Sequence, residues 1–164
     1  MVAVKIESHW EQAKFQEHES PVERSSHGIS EVDGVLYVFG GEDAAKVPVD
    51  SSVYALDVLN QNLQDGSAAW RKIGPSKNSP IPRVAHAQAT IGSKIYVFGG
   101  QSLGTLKVQS VLNDLYYFDA KTEEWQIRMR EVQGSICVAS VFQVMFGYFG
   151  NDYFLSGVKG VLLI

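Results

Sequence analysis

Arginine and histidine, residue types that often bind ligands or catalyse, occur in two segments with the same spacing. Arg24 is followed by His27, and Arg83 is followed by His86, 59 positions further along the chain. Side chains repeated in this way more often hold neighbouring loops and units together than perform chemistry. A structural role is therefore the main interpretation of both segments, and ligand binding is the alternative.

The sequence indicates no catalytic residue and no metal site. Neither Cys-x-x-Cys nor His-Glu-x-x-His occurs, and Gly-x-Ser-x-Gly, a phosphate-binding glycine loop and a dinucleotide fingerprint are also missing from the sequence. Cys137 lies in an apolar segment, which favours an inert side chain over a nucleophile. We therefore expect no identifiable cofactor and, in this form of the chain, no enzyme activity.

Composition and charge exclude several partner classes. The chain has 164 residues, of which 45% are hydrophobic and 20% are charged, as in soluble globular proteins. Its net charge of −4 offers no basic surface for nucleic acid. A single cysteine cannot form an internal disulfide, the start lacks the apolar segment of a signal peptide, and the most apolar run, 136–149, is short for a membrane span. We expect a cytoplasmic protein without nucleic-acid or membrane partners.

A repeated apolar stretch must position the two Arg-x-x-His segments. Residues 35–41 read VLYVFGG and residues 94–100 read KIYVFGG, again 59 positions apart. Self-similarity at a fixed period indicates a repeat architecture. An aromatic residue, an aspartate and a tryptophan follow each copy: Tyr54, Asp57 and Trp70, then Tyr117, Asp119 and Trp125.

Short strands separated by turns fill each unit. The predicted strands of the first unit are 26–32, 35–39, 53–56 and 69–73, with a hairpin turn at Asp33-Gly34 and a loop over 42–52. Those of the second unit are 85–91, 94–98, 114–118 and 125–128, with a loop over 101–111. Repeated four-stranded meanders predict blades of a β-propeller, over residues 24–74 and 83–128. The alternative, a small β-sandwich with two chance Gly-Gly pairs, does not explain the matched tryptophan positions.

The two ends of the chain fit this plan less well. In residues 1–23, Trp10 stands before Arg24 as Trp70 stands before Arg83, which predicts a closing strand around Trp10; a short helix over 11–19 is the alternative. Residues 129–164 lose the Arg-x-x-His. They are either a decayed opening half of a third blade or foreign sequence from a truncated or mis-spliced reading frame, and the second interpretation is favoured because no third unit is completed. The predicted fold is thus an all-β partial propeller of two four-stranded antiparallel blades, an N-terminal strand and an irregular tail.

The meander predicts where the polar residues gather. The first strand of each unit begins at the end of the blade where the second strand finishes, and the long loops emerge at that same rim. Loops on a rigid scaffold commonly bind partners. The candidate binding residues on this rim are Arg24, His27, Glu42, Asp43, Lys46, Arg83, His86 and Gln101.

The order Arg-x-x-His, double glycine, tyrosine and tryptophan closely resembles kelch repeats over residues 24–128. The segments PVERSSHG (21–28) and YVFGGED (37–43) are similar to the opening blade of plant nitrile-specifier and epithiospecifier proteins. In that family, the propeller redirects a glucosinolate aglucone released by a thioglucosidase, using ferrous iron held by a Glu/Asp/His set in a later blade. That blade is not in this chain, and Gln101 stands where the family tends to carry a basic residue.

Two functions are therefore expected. The first is a kelch-repeat scaffold whose rim loops bind a protein or a small molecule. The alternative is a fragment of an iron-dependent nitrile-specifier-like protein of glucosinolate catabolism. The resemblance then implies a thioglucosidase as partner, and Fe(II) as cofactor only in the complete protein.

Overall fold

The computed structural model describes residues 13–16, 19–103, 109–129, 145–149 and 152–156. In these ranges the chain is all-β, as predicted. They contain no helix that could cross a membrane. The strands are β1 (Phe15–Gln16), β2 (Gly28–Val32), β3 (Val35–Phe39), β4 (Glu42–Ala44), β5 (Val47–Pro48), β6 (Val53–Asp57), β7 (Ala68–Ala69), β8 (Arg71–Ile73), β9 (Ala87–Ile91), β10 (Lys94–Leu103), β11 (Gln109–Asp119), β12 (Glu124–Met129), β13 (Met145–Phe149) and β14 (Asp152–Ser156).

The first unit forms an antiparallel sheet in the order β2-β3-β6-β8. Its first hairpin turns at Asp33 and Gly34, whose φ angles of 49° and 80° are those that a two-residue turn between twisted strands requires. The following strand, β3, is central in the sheet, and its apolar run without polar alternation suits a strand with neighbours on both sides. The predicted four-stranded meander is confirmed for this unit.

The second unit repeats the sheet in the order β9-β10-β11-β12. Its central hairpin is longer than predicted, because β10 continues to Leu103 and β11 begins at Gln109. The prediction of a loop over 101–111 is therefore wrong at both ends, where Gln101 pairs with Val111 and Leu103 with Gln109. Strands β10 and β11 therefore continue beyond the double glycine as a two-stranded arm.

The first unit also departs from the predicted strands. The segment predicted as a loop over 42–52 contains the small hairpin β4–β5. The predicted fourth strand, 69–73, divides at Trp70, because β7 pairs in parallel with β1 while β8 pairs with β6. Within the segment where a helix was the alternative, Phe15–Gln16 is a strand. The strand predicted around Trp10 lies outside the described residues.

One hydrophobic core joins the two sheets. Phe39 of the first unit packs against Trp125 of the second with ring centroids 4.8 Å apart, and Tyr37 lies 5.8 Å from Phe118. Burial of each such side chain stabilises the fold by roughly 1.5–3 kcal/mol. The buried residues of this core are Val32, Tyr37, Phe39, Val53, Ala55, Ile95, Val97, Phe118 and Trp125. The two blades are thus packed face to face and hold the rim in one geometry.

The second blade buries residues on its other face as well. Since successive side chains of a strand point to opposite faces, Phe98 leaves the face that Val97 occupies. Phe98 packs there with Ala87, Ala89 and Leu115. The hairpin of β13 and β14 lies beside β9. The two interpretations of residues 129–164 stay predictions.

Candidate functional site

Backbone hydrogen bonds bring each Arg-x-x-His segment against the residue that follows its double glycine. Ser25 and Glu42 exchange two hydrogen bonds of 2.9 Å, and Val84 and Gln101 do the same at 2.9 Å. The second glycine of each pair allows this approach. A Cβ at Gly100, where φ is 91°, would lie 2.6 Å from the carbonyl oxygen of Val84. The two rim segments therefore share one backbone geometry.

The residue before each histidine has a left-handed backbone. Ser26 has φ of 56° and Ala85 has φ of 53°, although neither is a glycine or an asparagine. This conformation costs an ordinary L-residue about 1–2 kcal/mol. It lets the amide of Ala85 donate to the carbonyl of Ser26 at 3.0 Å, which joins the two rim segments directly. The neighbouring blades thus meet through backbone held in a strained conformation.

Arg83 is a fully buried ion-pair partner. Its side chain is 0% exposed, and its Nη1 and Nη2 donate to the two carboxylate oxygens of Asp114 at 2.6 and 3.1 Å. Nη1 also donates to the carbonyl of Gly99 at 2.9 Å, and the guanidinium lies 5.4 Å from the ring centre of Tyr116. Bidentate pairing of this kind fixes the orientation of both side chains. Arg83 is placed inside the rim rather than on its surface.

Arg24 repeats most of these contacts. Its Nε donates to the carbonyl of Val22 at 3.0 Å and its Nη1 to the carbonyl of Gly40 at 3.1 Å. The guanidinium lies 4.8 Å from the ring centre of Tyr54. The match of Tyr54 in the first repeat unit with Tyr117 in the second, made from the sequence, is wrong. The strand register makes Tyr116 the counterpart, since Val38 pairs with Tyr54 and Val97 with Tyr116.

His86 directly precedes β9, the strand of the second blade that contacts β2 of the first blade. It lies in this seam between the blades and is 1% exposed. Its Nε2 lies 3.2 Å from Oε1 of Gln88, whose Nε2 donates to Ser30 Oγ at 2.9 Å. With Gln88 Oε1 as the acceptor, the proton of the neutral His86 ring is assigned to Nε2. Its Nδ1 has no hydrogen-bond partner among the described residues. Burial, followed by the nearby charges of Arg83 and His27, lowers the pKa of His86 to about 4 despite the bond to Gln88.

His27 occupies the same place in the first unit but is only half-buried. Burial and then the positive charge of Arg24 lower its pKa below the usual value of 6.5. Near neutral pH both histidines are therefore uncharged. Neutral imidazoles beside two guanidinium groups suit a seam that already carries positive charge.

The β4–β5 hairpin carries the other predicted residues of the first unit. Glu42 accepts a hydrogen bond from Ser26 Oγ at 3.0 Å and another from the backbone amide of Lys46. Asp43 and Lys46 are exposed, and Lys46 has φ of 65° at the turn. Gln101 is half-buried at the base of the β10–β11 arm. The structure therefore gathers Arg24, His27 and Glu42, with Asp43 on strand β4 and Lys46 at the hairpin turn.

Sequence reasoning missed the apolar residues on this rim. Val22 and Ile81 each stand two positions before an arginine of the repeat, and each is 52% exposed. Val47 on the hairpin and Val111 on the arm are exposed as well. The shared position of Val22 and Ile81 was visible in the repeat, whereas Val47 and Val111 lay in segments predicted as loops. The rim thus combines exposed aliphatic and charged side chains.

Four-stranded antiparallel meanders that pack face to face around a common rim define blades of a β-propeller. The chain belongs to the kelch family, because residues 2–160 match the family model described as the KLHDC2/KLHL20/DRC7 Kelch-repeats domain. The solved structure titled "Structure of YjhT" superposes with a TM-score of 0.58 at 19% identity, covering 84% of this chain and 34% of that chain. The predicted kelch propeller fold is therefore confirmed.

Curated relatives differ widely in their names. The N-(sulfonatooxy)prop-2-enimidothioate sulfolyase of Thlaspi arvense is 28% identical over 157 residues, which cover 94% of this chain and 41% of that protein. Kelch domain-containing protein 3 of Rattus norvegicus is 34% identical over 88 residues, covering 50% of this chain and 20% of that protein. The Leucine-zipper-like transcriptional regulator 1 homolog of Drosophila melanogaster is 39% identical over 82 residues, covering 49% of this chain and 8% of that protein. The chain spans less than half the length of each.

The iron set implied by the resemblance to specifier proteins finds no fit in the described ranges. There, no three side chains of His, Cys, Asp or Glu come together in a group that could hold a metal ion. His86 is also poorly placed for a metal, since it is enclosed between the blades. The described residues therefore support no chemical step through iron.

Proposed function

We propose that this chain is a kelch-repeat scaffold module that binds a protein partner with its rim. Kelch domains commonly mediate protein interactions, and the family match extends over residues 2–160. One observation carries the proposal. Two units present the same rim segment on a shared core, and exposed aliphatic and charged side chains lie on and beside these segments. Rigid sheets that display such loops are a common way to build an interaction surface.

The chemistry of the rim favours a protein as the ligand over a small molecule. The exposed residues Val22, Val47 and Ile81 stand on separate segments, and the charged residues Asp43 and Lys46 lie on the β4–β5 hairpin. A small ligand needs a concave, enclosed site, whereas dispersed apolar contacts with a polar rim suit a protein surface. We propose a cytoplasmic protein as this partner.

The test compares rim variants with a variant at the opposite end of the same blade. Val47→Ser and Asp43→Ala alter the rim, and Leu59→Ser alters an aliphatic residue beside the Asp33-Gly34 turn that is even more exposed than Val47. A partner captured with the wild-type chain is purified and titrated by calorimetry. We expect Kd to rise at least about tenfold for the rim variants, as for residues at the centre of an interface, and to stay unchanged for Leu59→Ser. Equal losses in all three variants would contradict a rim site.

A second candidate function is favoured by the sulfolyase relative, whose match covers 94% of this chain. The chain would then be part of a nitrile-specifier-like protein acting on glucosinolate aglucones released by a thioglucosidase. Iron would have to be held by residues other than those described. Incubation of the chain with a thioglucosidase, a glucosinolate and Fe(II) decides this candidate by product analysis. Nitrile formation above the enzyme-free level would support it, and an unchanged product mixture would refute it for this chain.

A further inference from the structure

The geometry points to Arg24 as a binding residue for a carboxylate that a rim ligand supplies. In the second unit, the chain itself supplies that carboxylate, as Asp114. The inference rests on the proposed rim function, because it names the chemistry of the group that the rim would recognise. It follows from a comparison of the two arginines, each in a nearly identical setting.

Three of the four contacts of Arg83 are reproduced at Arg24. In each unit, Nε donates to the carbonyl two residues earlier, and Nη1 donates to the carbonyl of the first glycine of the pair. In each unit the guanidinium lies over a tyrosine ring of the third strand of the sheet. Among the described residues, only the ion pair with Asp114 has no counterpart at Arg24. The setting therefore holds the Arg24 guanidinium in the orientation that binds a carboxylate in the second unit.

The strand register explains why the carboxylate is missing. Phe39 pairs with Val53 and Phe98 pairs with Leu115, so the residue before Val53 corresponds to Asp114. That residue is Ser52, whose short side chain carries no charge. The first unit thus has the arginine but not the acid that binds it in the second unit.

The acid two residues before Ser52 is already engaged. Asp50 Oδ1 accepts from the backbone amide of Ser52 at 2.9 Å, and Oδ2 accepts from Tyr54 Oη at 2.7 Å. Lys72 Nζ lies 3.8 Å from the same Oδ2. The carboxylate of Asp50 is thereby held at the hydroxyl end of the tyrosine whose ring face Arg24 covers. It does not replace the bidentate pair of the second unit.

An unpaired donor is the result. Arg24 Nη2 is buried and has no hydrogen-bond partner among the described residues. Leaving a charged donor unsatisfied in this way is costly, and a carboxylate that binds both Nη atoms would recover that loss. Asp114, which fills the equivalent place in the second unit, is 16% exposed, and in the first unit Ser52 is 3% exposed while the Arg24 side chain beside it is half-buried. A ligand carboxylate from an acidic side chain or a chain terminus can therefore take this position, beside the exposed Val22.

The experiment follows the arginine Nε–H signals of the full chain by ¹⁵N NMR. The sequence contains five arginines, so few signals are expected, and Arg24→Lys assigns the one of interest. Sodium acetate is titrated against sodium chloride at equal ionic strength. We expect an acetate-specific shift of the Arg24 signal and none of the Arg83 signal, because Asp114 already occupies that site. No acetate-specific shift at Arg24, or an equal shift at Arg83, would overturn the inference.

Two matched variants sharpen the test. Ser52→Asp supplies the missing acid and should abolish the acetate response of Arg24, whereas the neutral Ser52→Asn should retain it. If Ser52→Asp fails to fold, the converse variant Asp114→Ser should give Arg83 the acetate response that Arg24 has in the wild type. A response that persists in a folded Ser52→Asp variant would refute the site.

Two probes distinguish the source of the carboxylate. One is a tripeptide capped at both ends with a central glutamate, and the other is an acetylated alanine tripeptide with a free C-terminus. A larger shift with the first indicates an acidic side chain, and with the second a chain terminus. Because these titrations use the chain without a partner, they can fail while Val47→Ser and Asp43→Ala still weaken partner binding.

Discussion

At the scale of single residues, the rim depends on backbone strain at Ala85. Its φ of 53° is a conformation that glycine adopts without cost, and its side chain is exposed. We expect Ala85→Gly to raise the free energy of unfolding by about 0.5–1 kcal/mol, because the relief of strain exceeds the extra entropy of glycine in the unfolded chain. Urea denaturation measures this change.

Ala44→Gly provides the matched control. Ala44 is also exposed, but its φ is not positive, and it lies in strand β4. A glycine there should lower the free energy of unfolding by about 0.5–1 kcal/mol. Changes of the same sign in both variants would show that the left-handed backbone at Ala85 is not a source of strain.

The buried imidazole of His86 makes stability depend on pH. Its pKa falls from 6.5 to about 4 on folding, so the folded state binds its proton less readily than the unfolded state. The contribution of neutral His86 is therefore complete above pH 6.5 and is lost as the pH falls from about 6.5 to about 4. This loss should reach on the order of 3 kcal/mol. Urea unfolding at pH values across this window measures it.

Two variants separate His86 from the other histidine of the seam. The His27→Gln variant should keep most of the acid-induced loss, because His27 is only half-buried. The His86→Gln variant should be less stable at pH 7 but should have a flatter pH profile between 6.5 and 4. An unchanged profile in His86→Gln would assign the acid sensitivity to other groups.

At the scale of elements, the double glycine decides whether a rim segment can approach the next strand. Alanine at Gly100 would place its Cβ 2.6 Å from the backbone oxygen of Val84 and 3.0 Å from His86. Since backbone cannot yield cheaply, we expect Gly100→Ala to cost more than about 3 kcal/mol. Thermal unfolding followed by circular dichroism should show a large fall in Tm. At Gly74, where a Cβ would meet nothing within 4 Å, the same change should be neutral or slightly stabilising.

The two sheets are joined by contacts of unequal strength. At the buried seam, Gln88 donates to Ser30, whereas at the surface Arg71 and Glu123 form an exposed ion pair of 2.6 Å. A double-mutant cycle with alanine should give a coupling free energy of about 1 kcal/mol for the buried pair and about 0.5 kcal/mol or less for the exposed pair. The reverse order would mean that the outer edges, rather than the centre, hold the blades together.

Element positions were largely predictable, and their contacts were not. The two VLYVFGG-like stretches have the apolar pattern and glycine stops of central strands, and β3 has the predicted bounds. The ends of β10 and β11 were missed because residues 101–103 and 109–111 carry no strand-like alternation, so only their pairing across the hairpin makes them strands. No sequence signal linked Arg83 to Asp114 either, because the two residues lie 31 positions apart and meet only through the fold. The difference between Arg24 and Arg83 is visible only once the register is known.

At the scale of the whole molecule, the predicted rim follows from the meander alone, because chain direction fixes which strand ends meet. What the repeat could not reveal is how far each rim residue is buried. The same Arg-x-x-His gives a half-buried Arg24 in the first unit and an Arg83 with no exposed surface in the second. The first unit lacks the covering acid, so equal motifs need not have equal roles. The candidate site of the first unit therefore differs chemically from that of the second.

The isolated 164-residue chain is expected to associate or to remain partly ordered. Propellers close with about four to eight blades, and the described part of this chain provides two four-stranded sheets. The sheets share one core, but Ile29 and Ile91 on the first strand of each blade are exposed to solvent. Exposed apolar residues and open sheet edges favour association. Light scattering should therefore give a mass above the monomer's 18.1 kDa, with a broad thermal transition. A monodisperse monomer that unfolds in one sharp calorimetric transition would contradict this expectation and show that two packed blades form a stable unit.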